Sequence, residues 1–193
     1  MLGEKYGAIE AKTGAFSRET GIRCPVGCGE CCTAIDFVVS QPEAEEVAEF
    51  LLEHPAALAR FEAQTIEDPR ELGRKVSCPL YDAGADAAHC TVYSARPLLC
   101  RTFAFSAHRE KTGGVVYAPC HKFRDDAVLA PKVELARAES RAGRGPALPI
   151  LPDESLEIWS LDPGGSAESL PMGPAVARAL ESLRMKRSFS GLT

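Results

Sequence analysis

The chain has 193 residues, enough for a sizeable buried core, with 45% apolar and 25% charged side chains in ordinary globular proportion. A formal net charge of -5, from 22 basic and 27 acidic residues, argues against nucleic acid as a partner held by a basic face. No apolar run approaches the ~18 residues of a membrane span, and the N-terminus Met1-Leu2-Gly3-Glu4-Lys5-Tyr6 lacks the apolar segment of a secretory signal. The expectation is a cytoplasmic protein without a membrane partner, its thiols kept reduced.

Residues 1–23 are polar, with Gly3, Gly7 and Gly14, and read as a loosely held arm. Next comes Cys24-Pro25-Val26-Gly27-Cys28-Gly29-Glu30-Cys31-Cys32, which places four thiols in nine residues as C-x3-C-x2-C-C. Pro25, Gly27 and Gly29 oppose a regular helix there and suit a loop wrapped closely around a ligand. Amide groups freed from secondary structure in such a loop can donate to sulfur.

Ile35–Val39 is a short β-favouring run. Ser40-Gln41-Pro42-Glu43 predicts a capping box opening a helix whose apolar face carries Ala44, Val47, Ala48, Leu51 and Leu52. Pro55 breaks or restarts it, with Leu58 and Phe61 continuing the face. Residues 67–77 read as loop, followed by Cys78-Pro79-Leu80-Tyr81 and an Ala/Gly/Asp-rich stretch. In Cys90–Phe103, Ser94 predicts the cap of a short helix with Pro97 in its first turn and Cys100 near its end. Phe103–Phe105 and Gly114–Tyr117 predict a strand pair, with Cys120 after the second strand. Phe123–Leu129 is a helix candidate interrupted by Pro131, and residues 141–152 read as a linker. Residues 174–187 predict a final amphipathic helix with Val176, Ala179, Leu180 and Leu183 inward.

Cysteine usage carries the chemistry. In a cytosolic chain of this size, eight cysteines read as metal ligands or redox groups rather than four disulfides. The remaining four, Cys78, Cys90, Cys100 and Cys120, are spaced too loosely for a zinc ribbon and do not match a bacterial ferredoxin run. Side chains of adjacent residues point in different directions, so Cys31 and Cys32 are not expected to share one tetrahedral ion easily. Either two metal sites share the loop or one cysteine of the pair is structural. All eight cysteines, Cys24, Cys28, Cys31, Cys32, Cys78, Cys90, Cys100 and Cys120, are candidate metal ligands. Residues 1–120 carry 12 basic and 17 acidic side chains, so ionised thiolates add to an existing negative charge that a cation would offset.

His89 and His121 adjoin Cys90 and Cys120 and are candidates for ligation or for hydrogen bonds to ligands. Arg96 and Arg101 bracket Cys100 and could compensate charge or form plain salt bridges. A redox couple at Cys28 and Cys31 lacks the expected βαβ context. No dinucleotide fingerprint, P-loop, H-E-x-x-H or G-x-S-x-G occurs, and no catalytic residue is assigned.

The three motifs together resemble the YkgJ-type cysteine-cluster family, described as zinc- or iron-chelating. They are Cys24-x3-Cys28-x2-Cys31-Cys32, Cys78-Pro79-Leu80, and Cys90-Thr91-Val92-Tyr93-Ser94-Ala95-Arg96-Pro97-Leu98-Leu99-Cys100-Arg101-Thr102-Phe103, with Cys120 trailing. The resemblance covers residues 22–125 and implies metal ligation by the matching cysteines, without implying a reaction. One branch is similar to flagellin lysine N-methylases, which implies iron–sulfur and methyl-transfer chemistry as an alternative. The expected architecture is α+β: an N-terminal arm over 1–21, an irregular cysteine-cluster domain over 22–125 with short helices and a small antiparallel sheet, and a helical tail over 126–193. The expected cofactor is a [4Fe–4S] cluster, with zinc as alternative, and an unidentified protein is the possible partner. The alternatives in function are a lysine N-methyltransferase or a thiol or one-electron redox protein.

Overall fold

The computed structural model describes residues 2–84, 89–161, 169–189 and 191. The α+β class is as expected, with ten α-helices and two antiparallel pairs of strands among these residues. In chain order they are α1 (Leu2–Thr20), α2 (Glu30–Thr33), β1 (Val38–Val39), α3 (Gln41–Glu53), α4 (Pro55–Glu62) and α5 (Pro69–Leu72). A 3-10 turn at Tyr93–Ala95 precedes α6 (Leu98–Thr102), β2 (Ser106–Arg109), β3 (Val115–Ala118) and α7 (His121–Asp125). The chain closes with α8 (Ala130–Arg141), α9 (Leu151–Trp159), β4 (Leu170–Pro171) and α10 (Met172–Phe189). None of the described helices is long and apolar enough to cross a membrane. Two compact units divide the chain: Met1–Pro25 with Leu98–Leu161, and Val26–Pro97 with Asp162–Thr193.

In the first unit, the segment expected to be a loose arm is the 19-residue helix α1. Tyr6, Ile9 and Phe16 share its buried side, so tertiary packing supplies what the glycines withhold from helix propensity. Phe16 anchors a cluster with Ile22, Ala107, Tyr117, Phe123 and Val133. Its ring centroid lies 4.7 Å from that of Tyr117 and 6.4 Å from that of Phe105. Further along α1, Lys12 pairs with Glu154 at 2.6 Å, and Glu10 pairs with the buried Arg101, whose guanidinium also lies 4.1 Å over the Tyr6 ring.

The first strand of the hairpin begins three residues later than expected and the second one residue later. Ser106↔Ala118 to Arg109↔Val115 pair as β2 and β3, while Phe105 turns into the core. The α7 helix starts at His121 and ends by Asp125, where Asp126 Oδ1 accepts from the amides of Val128 and Leu129 at 2.8 and 2.9 Å. Pro131 therefore opens α8 instead of interrupting a helix, because a first-turn residue needs no amide partner. The expected linker likewise ends early: Ile150 bridges Ala107, and α9 starts at Leu151 with Pro152 in its first turn.

In the second unit, α3 packs on α10. Ala44, Val47, Ala48 and Leu51 are buried on α3, and Ala175, Val176, Ala179 and Leu180 on α10. The expected strand at Ile35–Val39 shortens to β1, paired with β4, plus a separate bridge from Ile35 to Val76. Pro55 ends one helix and opens the next, as read from the sequence. The expected short helix over Ser94–Cys100 splits in two, because Arg96, preceding Pro97, is held extended at φ −61° and ψ 137°.

The capping box is made. Glu43 Oε2 accepts from the Ser40 amide at 2.9 Å and from its hydroxyl at 2.7 Å, and both residues are buried. Ser40→Ala removes one of these bonds and leaves a buried carboxylate under-satisfied. It should lower stability by roughly 1 kcal/mol, read as a reduced urea midpoint; an unchanged midpoint would show that the cap does not hold α3.

Candidate metal centre

The glycine-rich loop before α2 does two things. Gly27 adopts φ +73°, a conformation side chains disfavour. Gly29 then starts a helical turn, its carbonyl accepting from the amides of Cys32 and Thr33 at 2.8 and 3.1 Å. That turn brings the sulfurs of Cys31 and Cys32 to 3.9 Å apart. A tetrahedral ion with Zn–S bonds near 2.3 Å needs ligand sulfurs about 3.8 Å apart. The two neighbouring side chains, expected to point apart, thus place their sulfurs side by side at about that spacing.

Two further thiols are tied to this edge through the backbone. The Cys78 amide donates to the Cys32 carbonyl at 2.7 Å, and Tyr81 returns a bond to the Cys78 carbonyl at 3.0 Å. Tyr81 and Cys90 form an antiparallel bridge, and Thr91 bonds Leu80 at 3.0 Å. Cys28, Cys31, Cys32, Cys78 and Cys90 are thus all residues of the second unit, each of them half-buried. A cleft of about 110 Å³, lined by residues including Ile35, Val76 and Met172, opens beside Cys78.

The thiols differ sharply in acidity. The hydrogen bond shared with the Cys32 thiol draws the Cys31 pKa from 9.0 down to about 7, against the opposing effect of burial, with the Arg96 guanidinium assisting. Arg96 is itself fixed by stacking 3.5 Å over the Tyr93 ring. Burial pushes Cys78 up from 9.0 to about 12, and the nearby Cys90 and Cys31 sulfurs add to the rise. One thiolate is therefore readily formed and a second is opposed, a balance that a divalent cation reverses.

Sequence reasoning missed Tyr81. A Cβ on Gly29 would stand 2.4 Å from its Cε2 atom, so the loop lies directly on this ring. Tyr81 also meets the His89 ring edge-on, with centroids 6.0 Å apart. A tyrosine three residues after Cys78 carried no signal that distinguished it from core. Of the charge-compensating candidates, Arg101 forms the plain ion pair with Glu10.

Cys24, Cys100 and Cys120 belong to the first unit. Cys24 is exposed, Cys100 sits on α6, and buried Cys120 caps α7. Burial raises the Tyr117 hydroxyl above its usual pKa of 10.0, and the neighbouring Cys24 and Cys120 sulfurs raise it further. Among the described residues, no three His, Cys, Asp or Glu side chains converge into a set that could hold an ion as they stand. The Cys31 and Cys32 sulfurs lie side by side, and the Cys31 and Cys90 sulfurs act on the charge of Cys78.

Clustered soft donors on short, loop-borne elements define a thiolate metal-binding domain. The chain belongs to the CxxCxxCC family, described as a "putative zinc- or iron-chelating domain", whose model matches residues 23–121, just over half of the chain and all eight cysteines. That description supports metal binding. No curated protein and no solved structure matches.

Two outcomes test this geometry. Gly29→Ala forces a Cβ into the Tyr81 ring and should reduce metal uptake, and adding Tyr81→Ala should restore part of it; equal uptake in all three chains would show that the contact does not shape the site. In metal-free protein, alkylation of the Cys31–Cys32 pair should reach half its maximal rate near pH 7, because thiolate accumulates above the pKa, while Cys78 stays unmodified at that pH. Peptide mapping by mass spectrometry reads both, and rapid labelling of Cys78 would contradict the assignment.

Proposed function

We propose that the cysteine-cluster domain chelates a single zinc-type ion, with Cys31 and Cys32 as one edge of its tetrahedron and Cys78 and Cys90 as the other thiol donors. The observation that carries this reading is the 3.9 Å sulfur separation, set beside the about 3.8 Å edge of a tetrathiolate ion. In this reading Cys78 and Cys90 complete the set, on segments held by the Cys78 amide bond to the Cys32 carbonyl and by the bonds from Asp82 to His89 and from Thr91 to Leu80 that flank the Tyr81–Cys90 bridge. Bound metal would supply positive charge to a cluster of thiols that otherwise resist joint ionisation. In this reading it holds the loop, α2 and the Cys78 and Cys90 segments together, as structural metals do in small irregular domains. Cys28, and Cys24, Cys100 and Cys120 in the first unit, are not required for this centre.

A [4Fe–4S] cluster is the second reading. It is favoured by the glycine-rich loop, whose amides suit sulfide, and by the eight thiols available. Against it, each iron of such a cluster takes one cysteine, so ligand sulfurs stand farther apart than the edge of a single tetrahedron.

Anaerobic purification with elemental and acid-labile sulfide analysis separates the two. The proposal expects about one zinc per chain, no sulfide and no colour, with Cys31→Ser/Cys32→Ser dropping metal content to near zero and lowering thermal stability. About four irons and four sulfides with broad brown absorption would replace it with the cluster.

A further inference from the structure

Among the described residues two buried side-chain nitrogens make no hydrogen bond, Arg137 Nε and His89 Nδ1, and the latter belongs to the second unit, beside the cysteine loop. Nδ1 of His89 is shielded from solvent and makes no hydrogen bond, whereas the His89 carbonyl accepts from the Asp82 amide at 3.0 Å. A buried polar nitrogen left unmatched is unfavourable, and such atoms in folded proteins call for an ion or a water that completes them. His89 also carries the one positive φ among described non-glycine residues, +50°. Strained backbone of this kind persists where the surrounding structure holds a residue for a purpose.

The ring is held from two sides. Nε2 lies 3.1 Å from where a Cβ on Gly27 would stand, so the loop backbone approaches the imidazole as closely as a glycine allows. Tyr81, already pressed against Gly29, meets the ring edge-on. Both neighbours in sequence that carry thiols are candidate ligands: Cys28 follows Gly27, and Cys90 follows His89.

We infer that His89 Nδ1 is a nitrogen donor to the ion of the proposed centre, taking the place of one thiolate. The inference rests on that centre. The charge balance supports the exchange: a divalent ion with four thiolates carries a net charge of −2, whereas three thiolates and a neutral imidazole leave −1 in a half-buried, acidic part of the chain.

The test uses the full chain loaded with zinc, studied by X-ray absorption at the zinc edge and by competition with a chromophoric chelator. The expected result is a mixed sulfur and nitrogen shell in the unaltered protein. Its nitrogen scatterer should disappear in both His89→Ala and His89→Gln, with affinity weakened by about 10–100-fold. Circular dichroism checks that the variants fold, and the shell of the unaltered protein needs no variant at all. An all-sulfur shell, or a nitrogen that persists in both variants, overturns the role of His89 and leaves the proposed centre standing. Failure of the unaltered chain to bind zinc removes the centre and the inference with it.

Discussion

The contact between the Gly29 backbone and the Tyr81 ring is the constraint from which the second unit's chemistry follows. With 2.4 Å between the ring and any Cβ at residue 29, only glycine lets the loop reach this position. The helical turn that begins there sets the Cys31 and Cys32 sulfurs side by side. Tyr81 is at the same time bonded to Cys78 and bridged to Cys90 through its backbone. One aromatic residue thus joins the loop to both later thiol segments, with no regular sheet or long helix involved.

Electrostatics then set the state of the thiols. Four sulfurs near one another cannot all ionise without a compensating charge, and the structure resolves this unequally. Cys31 is assisted by its hydrogen bond with the neighbouring thiol and by a stacked arginine, while Cys78 is held protonated by burial. Such a cluster takes up a soft cation with release of protons, so metal affinity and acidity are two expressions of one arrangement.

The first unit is built on different physics. Its core is aromatic, with Phe16, Tyr117, Phe105 and Phe123 in edge-on and tilted contacts, and α1 is tied down by ion pairs from Lys5, Glu10 and Lys12. Cys24, Cys100 and Cys120 lie within it. The family match at residues 23–121 runs through parts of both units, which is why a contiguous cysteine domain is the natural reading of the sequence.

The sequence by itself determined the metal chemistry class and the local signals with strong short-range causes. The Ser40–Glu43 box, the break at Pro55, the final helix over α10 and the ligand-type residues all follow from spacing and side-chain type. Tertiary structure decided what depends on distant partners. The glycine-bearing N-terminal segment becomes helix because Tyr6, Ile9 and Phe16 find a core, which no local propensity encodes. The Ser94–Cys100 stretch divides because Pro97 holds Arg96 extended just where the chain leaves one unit for the other. The pairing of Cys31 with Cys32 needed the turn geometry at Gly29, and the buried nitrogen of His89 needed the approach of Gly27 from 62 positions away. Residue types are fixed in one dimension, but the spacing of two sulfurs is a distance in three, and only packing sets it.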